Sequence, residues 1–189
     1  IHICDRGSSH IQTQRDLLKE EYQRYKVIWP GIDQRTIEKE EAEYQQADWI
    51  SVPSQFAFNS FVEQGISAEK LLKFPYGARV KRTNPENMIH INNNRFKVLF
   101  VGAASPQKGF IDLLEAFKLF NHPNKHLEII GSLSPEAKAL LIAENHDSIS
   151  FKGFVPNNKL RVKYSSASVF ILPSIQDGFG MVFAEAMAC

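Results

Sequence analysis

The chain has 189 residues, of which 43% are hydrophobic and 23% charged, enough apolar material for one large or two small soluble domains. Its formal net charge of +1 gives no basic excess of the kind that points to nucleic acid, and no apolar run approaches the roughly 18–20 residues of a membrane span. Cys4 and Cys189 lie near opposite ends and form neither a disulfide framework nor a metal-binding spacing; with Arg6, His10 and Arg15 interrupting any secretory signal, a reducing cytoplasm is expected.

Residues 1–5 read as a buried strand, followed by a turn at Arg6-Gly7-Ser8-Ser9-His10. Between 11 and 28, Leu17, Leu18, Tyr22 and Tyr25 recur at helical spacing among charges, and Pro30-Gly31 provides a stop. An acidic helix is expected over 36–47, with Glu38, Glu40, Glu41 and Glu43 on a solvated face, and a short strand over 49–53. Ser54 reads as the N-cap of a helix reaching Gln64, with Gly65 as its C-cap. A short extended piece covers 71–75. Residues 77–95 crowd Asn84, Pro85, Asn87, Asn92, Asn93 and Asn94 together without an apolar period, which marks a linker.

Beyond it, strands at 96–101, 126–130, 149–152 and 168–172 alternate with helices at 109–120, 135–144, 158–165 and 179–189. That alternation predicts a parallel sheet with helices on its faces. The ligand crevice of such a sheet lies beyond the carboxyl ends of its strands, so loops 102–108, 131–134, 153–157 and 173–178 are where chemistry is expected. The apolar opening of the chain, and a helical pattern running to Cys189 without a stop signal, read as an internal fragment.

The most informative stretch runs from Leu172 to Ala188. A strand ends, a loop with Gly178 and Gly180 follows, and a helix is expected from about Phe179. Backbone N–H groups of Phe179, Gly180 and Met181 would then face the crevice, which suits a phosphate or sugar oxygen. Asp177, Met181 and Glu185 recur at helical spacing on one stripe. Its length, about 12 Å, matches the distance from a sugar across a diphosphate to a ribose. Glu185 lies among Val182, Ala184, Ala186 and Ala188, where a carboxylate needs a partner. Against this, Gly-x-Gly turns before helices are common and most helix acids are simply solvated. Lys108 falls at an expected helix start, where the helix dipole disfavours a cation unless an anion is near.

This run resembles the signature of family-4 glycosyltransferases: two acids separated by seven residues around a Gly-Phe-Gly turn, then Glu-Ala-Met-Ala. Glu185 matches the second acid, which in that family binds the ribose hydroxyls. Asp177 stands where the family usually has Glu, one methylene longer. Gly178, Phe179 and Gly180 match the turn whose backbone contacts donor sugar and phosphate. The stretch from Phe100 to Gly109 resembles the family's loop after the interdomain linker; Lys108 matches its diphosphate-binding Lys, whereas Ala103 replaces its Arg. Leu127-Glu128-Ile129-Ile130-Gly131 resembles the strand that ends beside the nucleotide, and Gly153-Phe154-Val155-Pro156 the loop that reads the base.

The resemblance implies an α/β chain of the GT-B fold: two Rossmann-like domains with parallel sheets, both truncated. Residues 1–80 would be the C-terminal part of the acceptor domain, 81–95 the linker, and 96–189 an incomplete nucleotide-sugar donor domain. The implied activity is retaining, metal-independent transfer of a hexosyl-type sugar from a nucleoside-diphosphate sugar to a glycan, lipid or other hydroxyl, in polysaccharide or glycoconjugate biosynthesis. Lys108, Asp177 and Glu185 would be catalytic. Gly102, Gly131, Phe154, Val155, Gly178, Phe179, Gly180 and Met181 would bind the donor. No cofactor or metal is implied, and no Asp-x-Asp pair occurs.

Arg6 and His10 are weaker candidates for a cleft contact to phosphate or acceptor. Arg15, Lys19, Arg24 and Lys26, with Tyr22 and Tyr25, allow peripheral membrane contact, although core packing explains the aromatics equally well. A nucleotide-sugar epimerase on the same fold and a non-catalytic binding module, favoured by Ala103 and Asp177, are the alternatives. An unrelated dinucleotide-binding domain is disfavoured, because no Gly-x-Gly-x-x-Gly turn follows Val101.

Overall fold

The computed structural model describes residues 1–77, 95–144 and 147–189. The linker expected at 81–95 lies, apart from Arg95, outside the described residues. The chain forms two compact units: one comprises Ile1–Gly77 and Ile175–Gly180, and the other holds the remaining described residues.

In the first unit, β1 (Ile3–Asp5), β2 (Trp49–Val52) and β3 (Leu71–Lys73) form a parallel sheet in the order β1-β2-β3. It packs with α1 (Ile11–Arg24), α2 (Gln34–Gln46) and α3 (Gln55–Glu63) around Ile11, Ile37, Tyr44, Ile50, Val52 and Phe61. Strand β1 is not buried as expected: it is a sheet edge, and Ile3 is 53% exposed.

Local chemistry sets the helix ends. The Ser54 hydroxyl accepts from the Ala57 N–H at 3.1 Å and starts α3. Gly65, at φ +85°, closes it: its N–H bonds Val62 O at 2.9 Å and the Ile66 N–H bonds Phe61 O at 3.0 Å. Helix α1 stops at Arg24, well before the expected Pro30-Gly31. Lys26 takes φ +54° and reproduces the same closure without a glycine, with Lys26 N–H to Gln23 O at 3.0 Å and Val27 N–H to Tyr22 O at 2.9 Å.

In the second unit, β4 (Phe96–Val101), β5 (Lys125–Ile130), β6 (Ile149–Phe151) and β7 (Val169–Phe170) are parallel, in the order β6-β5-β4-β7. Helices α4 (Phe110–Leu119), α5 (Pro135–Glu144), α6 (Asn157–Ser165) and α7 (Met181–Met187) complete it. Strand β4 is buried on both faces, as a central parallel strand must be. Val98 and Phe100 meet Phe110, Leu113, Leu114 and Phe117. Leu99 and Val101, with Ile130, meet Leu160 and Tyr164.

Two boundaries depart from expectation. The last strand shortens to Val169–Phe170. Helix α7 begins at Met181, not Phe179, because Gly180 at φ +69° holds the preceding chain out of the right-handed helical region.

Strand β4 has β5 on one side and β7 on the other, so the strand order reverses beside it. In open α/β sheets this switch point, at the carboxyl ends of the strands, is where ligands bind.

Candidate functional site

Glycines line the carboxyl edge of the second sheet. Gly102 follows β4, Gly131 follows β5, and Gly153 lies just past β6. The Gly102 N–H donates to Ile130 O at 2.9 Å, and the Gly131 N–H to Gly153 O at 2.9 Å. A Cβ on Gly131, at φ +133°, would stand 1.9 Å from Gly102 O. Only glycine permits that backbone approach. Gly109 plays the same part for the loop after β4: at φ +63°, its Cβ would stand 1.9 Å from Pro173 O. Pro173, just beyond β7, therefore lies against the loop that carries Lys108.

That loop is held at several points. Ala104 bridges Leu133, and its N–H donates to Ser132 O at 2.8 Å. Pro106–Lys108 form a 3₁₀ turn, with the Lys108 N–H bonded to Ser105 O at 3.1 Å. Lys108 ends this turn and α4 starts only at Phe110. Lys108 thus immediately precedes Gly109, the N-cap of α4, where the helix dipole disfavours a cation. Ala103, where the family often has Arg, is exposed in the same loop.

Glu185 has the partner its apolar surroundings demand. The Tyr164 hydroxyl, on α6, donates to Glu185 Oε2 at 3.3 Å. Burial, the Glu185 charge and this hydrogen bond together push the Tyr164 phenol well above its ordinary range. Met181 and Glu185 sit one turn apart on α7. Asp177 precedes the helix, so the single helical stripe expected for Asp177, Met181 and Glu185 does not exist. Beyond β6, Phe154 is 85% exposed, while Val155 packs on the cluster of Leu99 and Tyr164.

In the first unit, the segment Ile175–Gly180 docks on the turn after β1. Gln176 Nε2 donates to Ser8 Oγ at 2.6 Å and Ser9 Oγ at 3.1 Å. A Cβ on Gly178 would lie 1.9 Å from Gly7 O. The Phe179 ring meets Tyr76 edge-on, with centroids 5.9 Å apart. The hydroxyls of the turn at Ser8 and Ser9 were expected to face a cleft; they instead receive Gln176, and neither that pairing nor the Tyr76–Phe179 contact was foreseen, since no local periodicity marks contacts between segments this far apart.

Arg6 and His10, expected at a cleft, are engaged by their own unit. Arg6 Nε donates to Ser9 O at 3.2 Å, Nη2 to Gln14 Oε1 at 2.8 Å, and Nη1 pairs with Glu40 at 3.1 Å. His10 is 4% exposed. Its Nδ1 accepts from the Gln12 N–H at 3.2 Å and caps α1. The ring lies 5.0 Å from both Tyr44 and Phe61, and burial lowers its pKa. Both residues thus organise the turn that receives Gln176.

Among the described residues, no three His, Cys, Asp or Glu side chains gather to hold a metal ion, and no helix is long and apolar enough to cross a membrane.

Residues 82–189 match the family of glycosyl transferases group 1. A lipopolysaccharide 1,2-N-acetylglucosaminetransferase of Salmonella typhimurium is 29% identical over 159 residues, 74% of this chain and 41% of that protein. The sucrose-phosphate synthase of Thermosynechococcus elongatus superposes with a TM-score of 0.74 at 24% identity, over 99% of this chain and 48% of that one. Anabaena HepE, solved in complex with UDP and glucose, gives 0.68 at 19% identity, over 84% and 47%. The chain spans less than half the length of the curated relatives it matches. The parallel α/β units are those of GT-B glycosyltransferases, and the chain belongs to the glycosyl transferases group 1 family.

Proposed function

We propose that the whole protein transfers a sugar from a nucleoside-diphosphate sugar to a hydroxyl of a glycan or lipid-linked acceptor, with retention at the anomeric carbon and without a metal. The observation that carries this reading is the carboxyl edge beside β4. There the Gly102, Gly109 and Gly131 backbones close on their neighbours and a lysine loop lies against Pro173. The site is named as UDP-sugar-like because HepE, a neighbour in fold, was solved with UDP and glucose. Residues 1–80 would serve the acceptor and 96–189 the donor.

In this reading Glu185, oriented by Tyr164, receives the ribose hydroxyls. Lys108 neutralises the departing diphosphate, and Gly102 and Gly131 leave room for it at the strand ends. Val155 and Phe154 border the base. Asp177 holds hydroxyls of the donor sugar, with backbone groups of Gly178, Phe179, Gly180 and Met181 beside it. With Ala103 in place of an Arg, Lys108 supplies the main cationic stabilisation of the leaving group, in a field that strengthens as water is excluded. The leaving phosphate takes the acceptor proton, so no strong protein base is needed.

Similarity to a lipopolysaccharide 1,2-N-acetylglucosaminetransferase and to an alpha-monoglucosyldiacylglycerol synthase supports an acceptor of glycan or lipid type. Such acceptors would place the enzyme on the cytoplasmic side, at the periphery of a membrane. The test is a screen of nucleotide sugars for thermal stabilisation of the full-length protein, followed by NMR of the product made from the stabilising donor. Retained anomeric configuration in a new glycosidic bond is expected. Inversion refutes retention, and an isomerised donor formed without acceptor would make the protein an epimerase. Binding without turnover would make it a binding module.

A further inference from the structure

Gln176 precedes Asp177 and has no part in the scheme above, yet it is among the most deeply buried polar residues of the chain, at 1% exposed. Burying a carboxamide is costly unless its hydrogen bonds are met. Here Nε2 donates to Ser8 Oγ at 2.6 Å and Ser9 Oγ at 3.1 Å. Two residues on, Gly178 lies so close to the Gly7 carbonyl that no side chain fits. Asp177 is thus the residue between two fixed points on one turn.

The receiving turn is itself braced. Arg6 Nε bonds Ser9 O at 3.2 Å and its Nη1 pairs with Glu40 at 3.1 Å, while the His10 N–H donates to Ser60 Oγ at 2.8 Å. An aspartate reaches one methylene less far than the glutamate usual at this position. Its backbone must therefore be placed within about 0.5 Å for the carboxylate to engage a ligand.

We propose that Gln176 is a positioning residue for Asp177: its two hydrogen bonds to Ser8 and Ser9 fix the backbone from which Asp177 meets the donor sugar. This rests on the reading of Asp177 as a donor-sugar ligand. Leucine at 176 would match the volume but leave Ser8 and Ser9 without their donor and the segment without its anchor.

The test uses the full-length protein, its Q176L and S8A/S9A variants, D177A, and the Q176L/D177A double variant. UDP-glucose, UDP-N-acetylglucosamine and GDP-mannose serve as donors, and release of nucleoside diphosphate is the readout. Both anchor variants should lower kcat about tenfold with donor KM within twofold, and Q176L should cost nothing further in the D177A background. Equal losses in both backgrounds overturn the positioning role. Full activity of D177A overturns the reading of Asp177 itself. Amide hydrogen exchange separates the anchor from the chemistry. Exchange at 177–180 should rise at least tenfold in Q176L and in S8A/S9A while β4 stays protected; unchanged exchange overturns the anchor whether or not sugar is transferred.

Discussion

The Tyr164 hydroxyl donates to Glu185 Oε2 at 3.3 Å and ties α6 to α7. One oxygen of the carboxylate is thereby oriented, and Oε1 accepts no hydrogen bond from the described residues. In the proposed function, a ribose diol would use that acceptor. Glu185→Ala in the full-length protein should weaken nucleotide-sugar binding at least tenfold, about 1.4 kcal/mol, by titration calorimetry. Tyr164→Phe keeps the carboxylate and removes only its orienting bond, so it should cost a smaller factor, roughly two- to fivefold. Unchanged binding in Glu185→Ala would remove the donor site from α7.

What the sequence made legible follows from how local each signal is. Alternation in the second unit is readable because Val98–Val101 of β4 form an apolar run buried on both faces, and Leu127, Ile129 and Ile130 mark β5. Ser54 and Gly65 announce the ends of α3 because cap chemistry is decided within a few residues. The end of α1 is illegible because a lysine takes the left-handed position usually reserved for glycine. Extending helical numbering from Glu185 back to Asp177 failed because Gly180 breaks the helix between them. Lys108 and Glu185 were expected from the resemblance, which works on short runs of adjacent residues. Gln176 was not, since its partners lie 168 and 167 positions away and no periodicity reaches that far.

Gly131→Ala should be among the most damaging small substitutions in the second unit. Its Cβ would fall 1.9 Å from Gly102 O, at φ +133°. The obstacle is backbone just past the carboxyl end of β4, so it cannot step aside as a side chain would. A loss of roughly 2–4 kcal/mol is expected in urea unfolding. Gly153→Ala is the control. Gly153 also has positive φ, +65°, but nothing lies within 4 Å of its Cβ, so only the left-handed cost of about 1 kcal/mol applies. Equal losses in the two variants would mean that the contact with Gly102 carries no energy.

Lys163→Met tests the one charge placed on the buried face of β5. Glu128 is 5% exposed, and Lys163 Nζ of α6 lies 3.0 Å from its Oε1. Removing the cation strands a carboxylate under α6, which costs about 3 kcal/mol or more. Replacing both residues, Lys163→Met with Glu128→Leu, removes the stranded charge and should restore most of the loss. Chemical denaturation of the two variants decides the matter. A harmless Lys163→Met would show that water already reaches Glu128.

His10 makes stability depend on pH with a definite sign. Its Nδ1 caps α1 by accepting from the Gln12 N–H, which requires the neutral ring. Burial lowers its pKa below 6.5, against a partial opposing pull from Glu41 and Glu40, with Arg6 adding to the lowering. The unfolded chain therefore binds the proton first as pH falls, and stability drops from about pH 6.5 downward through the folded-state pKa. Above pH 6.5 the contribution is fully present. His10→Asn keeps an acceptor at the cap but cannot titrate. It loses the ring contacts to Tyr44 and Phe61, so it should be less stable at pH 7.5 by roughly 1–2 kcal/mol. Its stability should then fall less steeply than that of the parent between pH 6.5 and 5, the two curves converging. His126, whose pKa burial also lowers, leaves a residual slope in both proteins. Unfolding free energies measured across that range with parallel curves would remove His10 from the acid sensitivity of the fold.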